Sequence, residues 1–204
     1  MTTKVKAQMK TKVAGFALNV KLTFTAPLLG TVPKDPAVYA NYIAANSPDV
    51  NGEIETLPLQ EESGWTGFHQ LDGKPAIYDY AIKGFCKDAC SMMTRAGGLS
   101  AGLTAFKKVI DGVLFITPRL IEIHLSGELK PLERPLRAQT AQGERICLAR
   151  SDAAPAGSWI EFLLESLGGL DRAIVDEWFD YGRRRGLGQW RNGGYGSFTA
   201  EITQ

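Results

Sequence analysis

A chain of 204 residues is long enough to bury a core without disulfide or metal staples, and short enough to be one domain. With 44% apolar and 22% charged residues it is not a disordered chain, and no window approaches the roughly 18 apolar residues a membrane span needs. The 23 Lys and Arg against 22 Asp and Glu give a net charge of +1, which excludes a uniformly basic nucleic-acid binder and makes the position of charge the informative quantity.

Residues 1–34 carry Lys4, Lys6, Lys10, Lys12, Lys21 and Lys34 and no acid. Their lysines ahead of the apolar residues 13–18 resemble a secretion signal only superficially. The apolar stretch is too short, Asn19 and Lys21 prevent its continuation, and no small-residue cleavage site is present. Over residues 14–27, Phe16, Leu18, Val20, Leu22 and Phe24 alternate with Ala17, Asn19, Lys21 and Thr23, which predicts a strand with one buried face. Gly30, Pro33 and Pro36 mark a loop, and Asp35 is the expected cap of a helix from 36 to about 46 with Pro36 at its first position. Residues 47–75 are irregular and include an acidic block, Asp49, Glu53, Glu55, Glu61 and Glu62. They are too long for an ordinary connector and predict an insertion or flap.

A short strand is expected over residues 76–81. A helix is expected over 83–95, with Ile82, Phe85, Ala89 and Met92/Met93 as its apolar stripe and Gly97-Gly98 as its stop. Residues 103–110 predict a second short helix, and residues 113–116 and 119–125 a strand or strand pair broken at Pro118. His124 shares a strand face with Glu122, the arrangement of a solvated or hydrogen-bonded imidazole. Residues 126–156 read as loop-rich and basic, residues 157–167 as a strand, residues 170–181 as a helix, 182–196 as a loop, and 198–202 as a last strand. Cys86 and Cys90, four apart on one helix face, read as buried thiols. With Cys147 they lack zinc spacing, which suits a reducing cytoplasm and predicts no metal and no cofactor. The order of elements predicts an α+β fold, a ferredoxin-like or RRM-like antiparallel sheet with helices on one face. It forms a single domain with insertions near 27–75 and 126–156 and a C-terminal glycine-rich loop.

The most informative segment joins Arg183, Arg184 and Arg185 to Gly186, Gly188, Trp190, Arg191, Gly193, Gly194, Tyr195 and Gly196. Glycine lets the backbone approach a ligand, arginine offers a fork to phosphate, and the two rings offer faces to bases. Neither the GK[ST] of a phosphate-binding loop nor the strand–GxGxxG–helix context of a dinucleotide site is present. The bland alternative is a glycine-rich turn packed on the sheet.

A helix followed by Gly186-Leu-Gly, Gly193-Gly-Tyr-Gly-Ser-Phe198 and a terminal strand resembles the C-terminal loop of the RAMP superfamily, the RNA-binding subunits of CRISPR effector complexes. Residues 80–90 resemble that family's short strand and lysine-bearing helix, with Lys87 in the lysine position. The family's Pro-Gly-Ser there is replaced by Ala81-Ile-Lys83. Residues 145–150, then 154–157 and the strand after them, are similar in order to a third family patch. The resemblance implies an RRM-like core holding single-stranded nucleic acid, RNA before DNA. It also implies subunits that assemble along the strand as a homo-oligomer or within a CRISPR-like complex, and residues 126–150 as an inserted thumb hairpin. The residues it assigns to binding are Lys83, Lys87, Arg134, Arg137, Arg145, Arg150, Arg183, Arg184, Arg185, Gly186, Gly188, Trp190, Arg191, Gly194 and Tyr195. Relatives that cut RNA without metal through a histidine make His69 one catalytic candidate, and relatives that use an aspartate in the loop after the first strand make Asp35 the other. The sequence names no convincing partner for proton transfer at His69, and Asp35 between Pro33, Lys34 and Pro36 reads as a helix cap. The expectation is therefore a non-catalytic binder. The rival readings are a metal-independent endoribonuclease of the same fold, and a phage or mobile-element mimic that inhibits such a complex by docking on it.

Overall fold

The computed structural model describes the backbone of residues 14–34, 65–140 and 143–204, and the side chains of these residues other than 136–147. The four N-terminal lysines, Asp35 with its expected helix, the acidic block, and the side chains of Arg137, Arg145 and Cys147 lie outside the described residues.

The alternation starting at Phe16 produces β1 (Phe16–Phe24), in which Leu18, Val20, Leu22 and Phe24 are fully or almost fully buried. It is the centre of a four-stranded sheet with β7 (Leu114–Thr117), β11 (Trp159–Ser166) and β12 (Phe198–Thr203), in the order β12-β1-β11-β7. Every neighbouring pair is antiparallel. This is the ferredoxin-like strand order, and the α+β expectation holds.

Helices α1 (Asp79–Ala96) and α3 (Arg172–Arg185) lie on the buried face of the sheet, and α2 (Phe106–Val113) packs beside α1. Phe85 of α1 and Phe179 of α3 meet Phe198 of β12 at ring-centroid distances of 5.3 and 6.5 Å. Each such fully buried ring contributes about 1.5–3 kcal/mol. Gly182 of α3 is required by this contact, because a Cβ there would lie 2.1 Å from Cζ of Phe198.

Several boundaries differ from the sequence reading, the helix expected over 103–110 being α2 at Phe106–Val113 among them. The strand expected at 76–81 is β6 (Lys74–Tyr78), and α1 begins at Asp79, whose carboxylate complements the helix N-terminus. Helix α3 runs through Arg185 instead of stopping at Tyr181. Arginine is a good helix former, and its charge is favourable in a last turn. The Gly97 stop is as expected, with φ of 74°.

A second sheet stands beside the first. It contains β2 (Leu28–Leu29), β3 (Val32–Pro33), β4 (Trp65–Gly67), β9 (Lys130–Thr140) and β10 (Gly143–Ala154). The basic segment read as loop-rich is therefore a long antiparallel hairpin, paired from Lys130↔Ala153 to Thr140↔Gly143. Pro131 and Pro135 make the segment read as loop by local signals, although the family resemblance implied a hairpin there. Both sit on β9, an edge strand, where a missing N–H is tolerated. A third, small sheet joins β5 (His69–Leu71), β6 and β8 (Leu120–Glu122).

Cys86 and Cys90 are free thiols in the core, as read. Burial pushes the Cys86 thiol up to about 12 and raises Cys90 as well. In a Cys147→Ser background, we expect a disulfide-exchange reagent at pH 8 to modify neither thiol in the native protein and both after unfolding in urea. Reaction of native Cys86 within minutes would contradict this packing.

Candidate nucleic-acid interface

The glycine-rich loop starts where α3 ends and returns to β12. Its shape is held by backbone bonds: Leu187 N–H donates to the Gly196 carbonyl (2.9 Å), and Gly196 N–H donates to the Pro27 carbonyl (2.9 Å). Gly186, Gly188, Gly194 and Gly196 take φ of 74°, 81°, 84° and 68°. Gly196 is the tightest position, since a Cβ there would lie 1.9 Å from the Leu187 carbonyl oxygen. Gln189 locks the loop to the second sheet by donating to the Gly30 carbonyl (2.6 Å) and the Thr66 hydroxyl (3.1 Å).

This loop and the hairpin form an open cleft lined by Arg134, Arg185, Gly188, Trp190, Arg191, Asn192 and Gly193. Arg134 reaches in from β9. Its guanidinium lies 5.5 Å from the Trp190 ring centroid and against Gly193, where a Cβ would come within 3.0 Å of Nη1. Tyr195 meets Trp190 edge-on at 6.0 Å. Asp88 of α1 accepts from Arg185 Nε (2.8 Å) and from Arg191 Nη1 (3.0 Å), and Asn192 Oδ1 accepts from Arg185 Nη1 (2.5 Å). The hydrogen bond to Asp88 raises the Arg185 pKa. One carboxylate thus sets the position of two guanidinium groups without neutralising the cleft, because Arg134 adds a third positive charge. Both Arg185 and Arg191 remain partly exposed, at 22% and 29% of their side chains. The arrangement suits phosphate oxygens on the arginine forks and a base against Trp190.

The structure sorts the expected binding residues into distinct places. Arg134, Arg185, Gly188, Trp190 and Arg191 converge on the cleft, with Gly186, Gly194 and Tyr195 shaping its loop. Arg183 pairs instead with Asp180 (3.4 Å), beside β12, and Arg184 is an exposed residue of α3 outside the cleft lining. Lys83 lies over the Phe115 ring at 5.2 Å, and Lys87 pairs with Asp111 at 2.5 Å, so both serve the seam of α1 with α2 and β7. Arg150 is on the other face of the hairpin. Strand alternation places it with Glu133 and Trp65, whereas Arg134 pairs across from Ala149. There Lys34 (4.2 Å) and Arg150 (5.6 Å) both lie over Trp65, whose Nε1–H donates to Asp152 (2.8 Å). The residues that sequence reasoning missed include Asp88, Gln189 and Asn192. An acid among expected phosphate contacts gave no signal until the fold brought the loop back to α1.

His69 is in β5, half-buried, with Nε2 3.3 Å from the Tyr80 hydroxyl. Burial lowers its pKa, so the ring is neutral near pH 7. His124 stacks on Trp159 at 3.8 Å, with Nδ1 3.5 Å from Glu122 Oε1, and its imidazole is partly exposed. Among the described residues no three His, Cys, Asp or Glu side chains converge as a metal site. No helix of the described residues is long and apolar enough to cross a membrane.

The open face of the four-stranded sheet is a poor phosphate surface. Lys21 is flanked across the strands by Glu161 and Glu201, and Glu165 lies on the same face. Among the described residues, the cleft of Arg134, Arg185 and Arg191 gathers more positive charge than this face.

No family model matches the chain, and no curated protein matches it. Among solved structures it is similar to a chain of the type III-B Cmr-beta complex bound to cognate target RNA. The TM-score is 0.54 at 16% identity, covering 94% of this chain and 61% of that one. The chain thus spans about three-fifths of that relative's length. A chain of a type IV-B CRISPR complex aligns at TM-score 0.48 and 12% identity, covering 92% and 90%. The fold is accordingly one found in a chain of that type III-B Cmr-beta assembly.

Proposed function

We propose that the chain is a non-catalytic, cytoplasmic protein of the RAMP type that binds single-stranded nucleic acid, RNA in the first place. On this reading it is one domain with two insertions, needs no cofactor, and assembles along the strand as a subunit of a CRISPR-like complex. The observation that carries the proposal is the cleft itself: Arg134, Arg185 and Arg191 around Trp190, with Asp88 setting two of the forks. A fold shared with a chain of an RNA-bound complex supports it.

Phosphate contacts release counterions, so affinity for a labelled single-stranded RNA is expected to fall with salt. Three contacts give a slope of log K against log salt of about −2 from this cleft alone. Binding that is indifferent to salt, or absent, would sink the proposal. The same mixtures resolved on a denaturing gel address the rival reading, which the neutral His69 beside Tyr80 favours. Intact RNA supports a binder. Cleavage in the presence of chelator that disappears in His69→Ala would make the protein an endoribonuclease instead.

A further inference from the structure

The hairpin face that carries Arg134 continues past it toward the hairpin base. On β9, Lys130, Leu132 and Arg134 pair with Ala153, Ser151 and Ala149 of β10. Strand alternation puts all three on one face, about 7 Å from one to the next. Arg134 belongs to the arginine cleft. Lys130 and Leu132 belong to a second concavity, whose lining adds Glu128 and the rings of Pro27, Pro131 and Pro155. Its volume is about 280 Å³. That is just under the roughly 300–1,000 Å³ of sites for drug-sized ligands, so it suits one small ring system rather than a peptide segment. The floor is fixed, because Ala153 is paired on both sides, with Lys130 of β9 and with Leu29 of β2. One wall is tied to the glycine-rich loop, since the Pro27 carbonyl accepts from Gly196 N–H (2.9 Å). Lys130 and Glu128 are exposed charges, and Leu132 is half-buried between Lys130 and Arg134.

Cation, apolar group and cation at successive positions of one strand face complement phosphate, base and phosphate of a nucleotide chain. We propose that this concavity is a base pocket, taking one base of a single-stranded RNA whose flanking phosphates lie on Arg134 and Lys130. This deepens the reading of the cleft given above and rests on it. Glu128 sets which base enters. A carboxylate accepts hydrogen bonds and donates none, so it repels phosphate and pairs with a base edge that donates. Cytosine offers its N4 amino group there, whereas uracil offers a carbonyl oxygen at the same place. The pocket thus selects cytosine over uracil, where stacking on Trp190 tolerates either.

The test uses the full chain, cytidine and uridine homo-oligomers of equal length, and inorganic polyphosphate as a probe with charge but no bases. The parent is expected to bind the cytidine oligomer about tenfold more tightly than the uridine oligomer. Glu128→Gln should reduce that preference below about threefold, since an amide donates to a uracil carbonyl as readily as it accepts from a cytosine amino group. Leu132→Ser, which leaves charge unchanged, is expected to weaken the cytidine oligomer about fivefold and to leave polyphosphate binding unchanged. Equal binding of the two oligomers by the parent overturns the pocket and leaves the cleft standing. A preference that Glu128→Gln leaves intact overturns it as well, and this arm replaces an exposed side chain, so it does not depend on how Leu132→Ser folds. Equal weakening of RNA and polyphosphate in a folded Leu132→Ser protein also overturns it, since the loss would then not concern bases. Absence of RNA binding by the parent overturns the reading of the cleft, and the pocket with it.

Discussion

Arg185→Glu combined with Arg191→Glu is expected to weaken binding of single-stranded RNA by at least about 100-fold, since each charge-assisted contact is worth roughly 1.5–3 kcal/mol. Both guanidinium groups line the cleft and meet at Asp88. After the double reversal, three arginines facing one carboxylate become one arginine facing three carboxylates. The control is Arg183→Glu with Arg184→Glu, which changes net charge by the same amount beside Arg185 on α3. Arg183 faces Asp180 beside β12 and Arg184 is outside the cleft lining. Neither side chain lines the cleft, and exposed charges that make no direct contact act only through solvent, so the control is expected to lose no more than about threefold. Fluorescence anisotropy titrations, with circular dichroism to establish that both variants fold, measure the contrast. Equal losses in the two double variants would mean that general positive charge, and not this cleft, holds the strand. Asp88→Asn is informative beside them: it frees both forks from their anchor, so binding should weaken even though the cleft becomes more positive.

Trp178→Ala is expected to destabilise the fold by about 4 kcal/mol, a large share of the roughly 5–15 kcal/mol that holds a domain together. Trp178 of α3 is fully buried, and its indole N–H donates to Ser100 Oγ at 2.8 Å. Ser100 belongs to the 3-10 turn Leu99–Gly102 that comes after α1, and its hydroxyl donates to Glu177 Oε2 at 3.0 Å. Leu99 N–H donates to the other oxygen of Glu177 at 2.9 Å. Truncation thus leaves a cavity and also removes the N–H that the buried Ser100 oxygen accepts, leaving that hydroxyl only its bond to Glu177 at the seam of α1 with α3. Trp178→Phe keeps much of the buried area and loses only the hydrogen bond and some volume, so about half the effect is expected. Urea denaturation with an unchanged slope would measure both. A loss below about 1.5 kcal/mol for the alanine variant would show that the seam repacks.

The fold was largely legible in the sequence because its central strands are buried on one face. Leu18, Val20, Leu22 and Phe24 on β1, and Ile160, Phe162 and Leu164 on β11, alternate with polar or exposed residues, and only a half-buried strand has that period. The ends of α1 and α3 were less legible. Tyr78 caps α1 with no side-chain bond, and an arginine triplet reads equally well as helix or loop. The hairpin was implied only by the family resemblance; local signals read it as loop, because the cost of its prolines depends on whether their strand is an edge, and strand neighbours are not a local property.

The candidate site divides in the same way. Composition and order pointed to the glycine-rich loop, because residue types that bend the backbone, grip phosphate and stack on bases occur there within a few positions of one another. Which arginines act together was decided only by tertiary structure. Arg183 and Arg185 are two residues apart on a helix, about 200° around its axis, so one turns to β12 and the other to Asp88. Arg134 and Arg150 lie on one hairpin, and the pairing register puts them on opposite faces. Sequence thus determined the inventory and the elements, through periodicities that each segment carries by itself. The cleft, its anchoring Asp88 and the concavity beside Leu132 depend on which faces meet, a property of the packed chain that no single segment encodes.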